Sequence, residues 1–192
     1  MKILLTLFVL LFSSSVFSDE ISDYQIEGIG IGDSLLKLFS LSEINKSTKV
    51  YYENSDKYYD IEINSDRIEF FETFKISVKK NDSNYVIHAL SIGKRFKNNM
   101  EECFKRKEIL VEDISNDFPG IKSFSYEYTY DFLEDGTSVA YITDFNLSDK
   151  SGAIRVYCID WSLQTEKIRN FVDNLQIDIS PKYYLNWLNN ES

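Results

Sequence analysis

Histidine, cysteine, proline and methionine are nearly missing from this sequence, at one, two, two and two residues in 192. A single histidine, His88, and no Cys-x-x-Cys pair leave no donor set for zinc, and a Ser-His-Asp arrangement would rest on that one imidazole. His88 falls inside the strand-like run Tyr85 to Ile92, where a hydrogen-bonded structural histidine is the expected role. Positive charge is short as well. Lys and Arg total 21 against 31 Asp and Glu, a net charge of −10, and phosphate-backbone binding needs a basic footprint. Nucleic acid is therefore excluded as a partner. No Asp-x-Asp-x-Asp-Gly loop occurs, so the EF-hand type of calcium site is excluded too. Gly28, Gly30 and Gly32 lack the Lys-Ser/Thr that completes a phosphate-cradling loop. They predict an extended entry into a helix. No metal and no cofactor are expected.

Alanine occurs only at 89, 140 and 153, while Ile, Asn and Lys abound. This skew matches the codon bias of an AT-rich genome, so the abundance of Asn and Lys carries no functional information.

The start of the chain is organised differently from the rest. Lys2 precedes the apolar run Ile3 to Phe12, then small residues and Asp19-Glu20. A basic first turn, an apolar stretch of about ten residues and Val16 and Ser18 at the cleavage positions predict a secretory signal peptide over 1–18. The run falls short of the roughly 20 apolar residues that span a bilayer, and no later run reaches that length. The remainder, 19–192, reads as one soluble domain without an integral membrane segment, in the periplasm or secreted.

Strand patterns fill the first half. Asp33 or Ser34 is placed as the cap of a helix carrying Leu35, Leu36, Leu38 and Phe39, with a further turn from Ser42 to Ser47. Lys49 to Glu53 and Lys57 to Ile63 flank a turn, and Phe70 to Lys79 and Tyr85 to Ile92 form a hairpin. A long helix from Asn99 to Phe118 follows, with Met100, Cys103, Phe104, Ile114 and Phe118 on one side, stopped by Pro119-Gly120. Phe124 to Asp131 alternates cleanly, Ser138 to Leu147 returns, and Ala153 to Trp161 completes the sheet. Thr165 is placed as the cap of a helix bearing Ile168, Phe171, Val172 and Leu175. Pro181 opens a terminal helix with Tyr184, Leu185 and Leu188. The fold class is α+β: a mainly antiparallel sheet with helices packed on one face. A helix followed by strands occurs twice, which permits two related halves, 19–97 and 98–192.

Cys103 lies on the helix stripe and Cys158 on a strand face shared with Ile154 and Val156. In an oxidising compartment two cysteines leave one internal pairing, so a Cys103–Cys158 disulfide is expected.

Three groups of residues are candidates for function. Lys94, Arg95, Lys97, Lys105, Arg106 and Lys107 form a basic patch that could meet an anionic partner; solvation by helix ion pairs is the plainer account. Tyr126, Tyr128 and Tyr130 make an aromatic row able to hold a small ligand. Asp131, Glu134, Asp135 and Asp144 supply carboxylates for a hydrolase, provided that two of them converge.

The segment Gly28-Ile-Gly-Ile-Gly-Asp-Ser-Leu-Leu36, the spacing Met100-Glu-Glu-Cys103, and Arg155-Val-Tyr-Cys158-Ile-Asp-Trp161 resemble a family of short uncharacterised exported proteins of marine alphaproteobacteria. The resemblance spans nearly all of 19–192 and implies export but no particular activity. Gly30-Ile-Gly-Asp-Ser34 before a helix and hairpins is similar, over roughly fifty residues, to small envelope-assembly lipoproteins and the β-lactamase-inhibitor-like fold; the lipid-bearing cysteine is lacking, so this bears on fold alone. Together these features point to a non-enzymatic periplasmic binding or interaction protein. Its partner would be another envelope protein or a small ligand on the aromatic face, with a carboxylate-dependent hydrolase acting on an envelope or sugar substrate as the alternative.

Overall fold

The computed structural model describes residues 21–65, 69–147 and 151–191; the expected signal peptide lies outside them. The glycine-rich segment is a tight hairpin rather than an extended lead-in. β1 (Gln25–Ile26) pairs with β2 (Ile29–Gly30) across Glu27 and Gly28, both with positive φ, the geometry of a two-residue turn. Gly30 is required by crowding, since a Cβ there would lie 2.6 Å from the Tyr24 carbonyl oxygen.

The helix expected from Ser34 shrinks to a 3-10 turn, Leu35–Lys37, with Ser34 Oγ accepting from the Leu36 amide. The next element, α1 (Leu41–Lys46), is capped by Ser40 and not by Ser42. Glu43 decides this, because its carboxylate bonds back to the Ser40 amide at 2.8 Å and completes a capping box.

An eight-stranded antiparallel sheet dominates the described residues. Its strands are β3 (Thr48–Tyr51), β4 (Tyr58–Asn64), β5 (Thr73–Lys79), β6 (Ile87–Arg95), β7 (Ser123–Thr129), β8 (Val139–Leu147), β9 (Gly152–Asp160) and β10 (Asn174–Pro181). They lie in the order β3-β4-β5-β6-β10-β9-β8-β7, so two four-stranded meanders meet where β6 pairs with β10. That last strand corrects the sequence reading, which assigned Leu175 to a helix with Ile168 and Phe171. The helix α3 (Leu163–Arg169) instead stops at Asn170, which takes the left-handed conformation, and the chain re-enters the sheet. Its cap is Ser162, whose Oγ accepts from the Thr165 amide, rather than Thr165 itself.

One face of the sheet carries the main core. Ile61, Ile76, Leu90, Ile177, Ile179, Val156 and Phe145 share it with the hairpin segment's Ile21, Ile29, Leu35 and Phe39. The helix α2 (Met100–Asp117) lies across this face, capped by Asn99 and ending at Phe118, close to the bounds expected from its apolar stripe. Cys103 and Cys158 are fully buried beneath it and joined as a disulfide, with Cα atoms 6.1 Å apart. The bridge ties α2 to β9, one strand from the seam between the meanders.

The last helix, α4 (Lys182–Glu191), does not join α2. Its buried Tyr184 and Trp187 pack on Tyr58 and Ala89, on the opposite face of the sheet. The expectation of helices on one face is corrected here. β10 ends at Pro181 and the chain turns directly into α4, while the first face is already filled. An aromatic stripe on α4 therefore finds its partner on the other side.

The disulfide closes a loop of 55 positions, for which chain entropy gives roughly 4 kcal/mol. Replacing both cysteines by Ala should lower the urea-unfolding free energy by about that amount. Unfolded, unreduced wild type should take up no thiol label; two labels per chain would contradict the bridge.

Candidate functional site

Strand alternation places a polar set on the face away from α2. From edge towards centre these are Asp60 on β4, Lys75 and Ser77 on β5, Ser91 on β6, and Asn174, Gln176 and Asp178 on β10. Arg155 and Tyr157 on β9 and Asp144 on β8 continue the row, with Tyr126 from β7 at the far side. Among the described residues, two elements cover parts of this face. α4 sits over part of it, and an arm from Trp161 to Asp173, which includes α3, closes over another. Asp173 fastens the arm: its Oδ1 accepts from the Trp161 amide at 2.8 Å and its carbonyl from the Phe96 amide at 2.7 Å. Burial raises the Asp173 pKa, and the Trp161 amide bond partly offsets this.

Beneath α4 a buried polar cluster is well paired. Asp60, almost wholly buried, accepts from Ser77 Oγ at 2.5 Å and Tyr52 Oη at 2.9 Å, with Lys75 Nζ at 3.3 Å. Tyr184 Oη joins Ser77 and Tyr52 at 2.8 and 2.9 Å. His88 pairs with Tyr183 Oη at 3.0 Å and rests edge-on against Tyr58; burial lowers its pKa. It is a hydrogen-bonded strand residue that helps to seat α4.

The centre is different, because acceptors there outnumber donors. Arg155 clamps Asp144 with Nε–Oδ1 at 2.6 Å and Nη2–Oδ2 at 3.0 Å, and reaches Tyr126 Oη at 3.2 Å. The pairing with Asp144 raises the guanidinium pKa and uses up its charge. Next to it, the single phenolic proton of Tyr157 faces two acceptors, Gln176 Oε1 and Asp178 Oδ2, the latter at 3.1 Å. Asp178 Oδ1 is buried without a hydrogen-bond partner. Burial raises the Asp178 pKa; the Ser91 and Tyr157 hydroxyls, acting as donors to the carboxylate, and the charges of Arg155 and Lys75 only partly offset it. Four residues back on the same strand and face, Asn174 Oδ1 is also buried and unpartnered, while its Nδ2 donates to the Val172 carbonyl at 2.8 Å. Buried acceptors without donors are rare in folded proteins and call for an explanation.

Asn174 and Asp178, which carry these two buried acceptors, each line a cavity. One of about 570 Å³ is walled by Asn64, Thr73, Arg95, Asn174 and Gln176, with Trp161 and Phe171 of the arm above. The other, about 560 Å³, lies against α4 and is lined by Asp144, Arg155, Asp178 and Lys182, among others. Tyr130, Trp161 and Phe171 form a continuous aromatic panel, with successive ring centroids 5.1 and 4.7 Å apart.

The sequence-derived candidates fall in several places. Of the tyrosine row, Tyr126 joins Arg155, Tyr128 is exposed on the edge strand, and Tyr130 belongs to the Trp161 panel. The six basic residues separate. Lys94 and Arg95 meet Glu72 at 3.2 and 3.8 Å, and Arg106 pairs with Glu102 at 2.8 Å and overlies Phe70. Lys107 turns inward to Thr143 Oγ1 at 2.8 Å, where burial lowers its pKa; Lys97 and Lys105 are exposed. Among the carboxylates, Asp131 and Asp135 are exposed at the β7–β8 turn, and Glu134 is bound by Arg169 at 2.7 Å and Thr165 at 2.9 Å. Asp144 alone sits on the polar face, paired with Arg155.

Asn174, Gln176, Asp178, Trp161 and Phe171 escaped the sequence reading as site residues. The usable signal was the alternation of Leu175, Ile177 and Ile179 with Gln176, Asp178 and Ser180, a two-residue period that marks a strand with one polar face. Among the described residues no cluster of three or more His, Cys, Asp or Glu side chains is placed to hold a metal, and no helix is long and apolar enough to cross a membrane. Compared with protein-family models, curated proteins and solved structures, the chain matches none.

The raised Asp178 pKa has a stability consequence. A carboxyl with a folded-state pKa above its unfolded value favours folding fully only below the unfolded pKa, near 4, and loses that contribution as pH rises through the folded value. Asp178→Asn should therefore stabilise the protein against urea at neutral pH, with the gain vanishing below about pH 4. A variant destabilised at neutral pH would contradict this account of the centre.

Proposed function

We propose that this protein is an exported binding module, acting in the periplasm or outside the cell, whose working surface is the polar face of the sheet between the Trp161 arm and α4. It holds a partner there, a small ligand or a segment of an envelope protein, without transforming it. The observation that carries this reading is the pair of buried acceptors, Asn174 Oδ1 and Asp178 Oδ1, each lacking a donor and each beside a cavity. Unsatisfied groups cost stability, and such costs gather where a bound partner supplies what the fold withholds. Export is supported by the leader-like pattern of residues 1–18 and by the Cys103–Cys158 bridge, since disulfides persist in oxidising compartments. The resemblance to exported proteins of marine alphaproteobacteria agrees with this reading. The strand order, running outward in the same sequence from the β6–β10 seam on both sides, supports two related halves.

One observation favours the hydrolase as a second reading. Asp144 and Asp178 line the same cavity, the first ion-paired with Arg155 and the second pushed towards its protonated form by burial. Two carboxyls held in different protonation states are what acid–base hydrolysis uses.

The reading is tested on protein expressed with its own leader in a Gram-negative host. The periplasmic form should begin at Asp19. Its melting temperature should rise with at least one chemical class among sugars, amines, inorganic anions and short peptides, because a ligand that binds only the folded state stabilises it. Asp178→Ala or Gln176→Ala should abolish the rise, and Lys97→Glu, remote from this face, should not. If no class raises the melting temperature, or if the rise survives in both face variants, the binding face is wrong. Turnover of a bound sugar that Asp178→Asn abolishes would favour the second reading.

A further inference from the structure

We propose that the cavity between β4–β6 and the Trp161 arm binds a neutral saccharide, one sugar ring stacked on the Trp161–Phe171 panel and its hydroxyls donating to Asn174 and Gln176. The inference rests on the binding reading above and names the ligand class.

Hydrogen-bond supply sets the first constraint. Asn174 lines the cavity, but its Oδ1 is turned away from solvent and has no donor, so rotation of its side chain is what would present that acceptor to a ligand; Gln176 Oε1 competes with Asp178 for one Tyr157 proton. A complementary ligand brings several donors, and a polyol carries one on nearly every carbon.

Charge sets the second. The cations nearest the cavity are already engaged: Lys75 with Asp60, Arg155 with Asp144, and Arg95 with Asn64 at 3.0 Å and with Glu72. Glu62 stands at the rim of a protein with net charge −10. Among the described residues, an anionic ligand would meet no uncommitted positive group here and a repulsive field. A neutral one meets neither obstacle.

Shape sets the third. Among the other wall residues, Asn64, Thr73 and Asn170 supply amides and a hydroxyl, and Gly93, paired with both Thr73 and Gln176, presents no side chain to the floor. Substituting it would bring a Cβ within 2.6 Å of Thr73 Oγ1. Above that polar floor lie the rings of Trp161 and Phe171, the latter 40% exposed. A polar floor below an aromatic wall suits a pyranose, whose C–H faces pack on rings while its hydroxyls lie in the plane. The volume of about 570 Å³ falls inside the usual range for small-ligand sites, roughly 300–1,000 Å³.

Tryptophan emission gives the test, because Trp161 borders the cavity while Trp187 is buried between α4 and the sheet. Maltotriose, cellotriose and chitotriose are titrated separately into the oxidised protein, with spermidine as the cationic comparison. At least one trisaccharide should shift the emission. Asn174→Ala and Phe171→Ala should each weaken that binding about tenfold, the effect of one lost hydrogen bond or stacking contact. Both variants should keep the wild-type melting temperature, and Lys97→Glu should bind as wild type. The proposal is overturned if no trisaccharide shifts the emission, or if the shift persists undiminished in both variants. Spermidine shifting the emission where the sugars fail, with loss in the same variants, would overturn the saccharide and leave the binding face standing. Silence from all four probes, together with no thermal stabilisation by any class, would remove both.

Discussion

The antiparallel pairing of β10 with β6 is the contact on which the rest of the molecule depends. It joins Asn174–Ile179 to Leu90–Arg95, and the same strand pairs on its other side with Gly152–Ile159 of β9. Without β10 the chain would hold a four-stranded meander, β3 to β6, and a separate three-stranded one, β7 to β9, each with an exposed edge of unpaired amides and carbonyls. With it, one continuous sheet presents one apolar face. That face is wide enough to bury the hairpin segment and α2 together in a single core cluster.

The two sides of β10 serve different ends. Leu175, Ile177 and Ile179 are fully buried in the main core, each contributing about 1.5–3 kcal/mol by removal from water. Asn174, Gln176 and Asp178 face the other way, where donors are scarce and a carboxyl is desolvated. The first set stabilises the fold, and the second detracts from it. The disulfide acts one strand away, at Cys158 on β9, and restrains the unfolded chain rather than adding contacts to the polar face. Core and bridge thus offset a face whose buried acceptors are imperfectly satisfied.

Much of this architecture was legible in the sequence where periodicity was long and unopposed. Met100, Cys103, Phe104, Ile114 and Phe118 recur at helical steps over five turns, and Asn99 supplies the cap, so α2 was read nearly to its ends. The bridge followed from the same stripe. β10 was lost because Ile168, Phe171, Val172 and Leu175 also fall at helical spacing, and the short α3 ends at Asn170 with no glycine or proline to mark the stop. The position of α4 was illegible for another reason. An aromatic stripe tells which side of a helix is buried, but the choice between two faces of a sheet depends on which face is already occupied. The site suffered from both errors: its acceptors lie on the strand that was missed, and Trp161 gains its meaning only when the arm folds over that strand. Tyr130 was singled out as part of a tyrosine row, but its neighbours Trp161 and Phe171 come from far along the chain.

The central claim is that one strand separates a stabilising face from a working face, and two adjacent residues test it directly. Ile177→Ala and Gln176→Ala are compared with wild type by urea unfolding at neutral pH. The account expects Ile177→Ala to lose about 2–5 kcal/mol, as large-to-small changes in a sealed core do. Gln176→Ala should remain folded and lose no more than about 1 kcal/mol. Comparable losses at both positions would contradict the division, because the polar face would then be as much a part of the stabilising core as the apolar one.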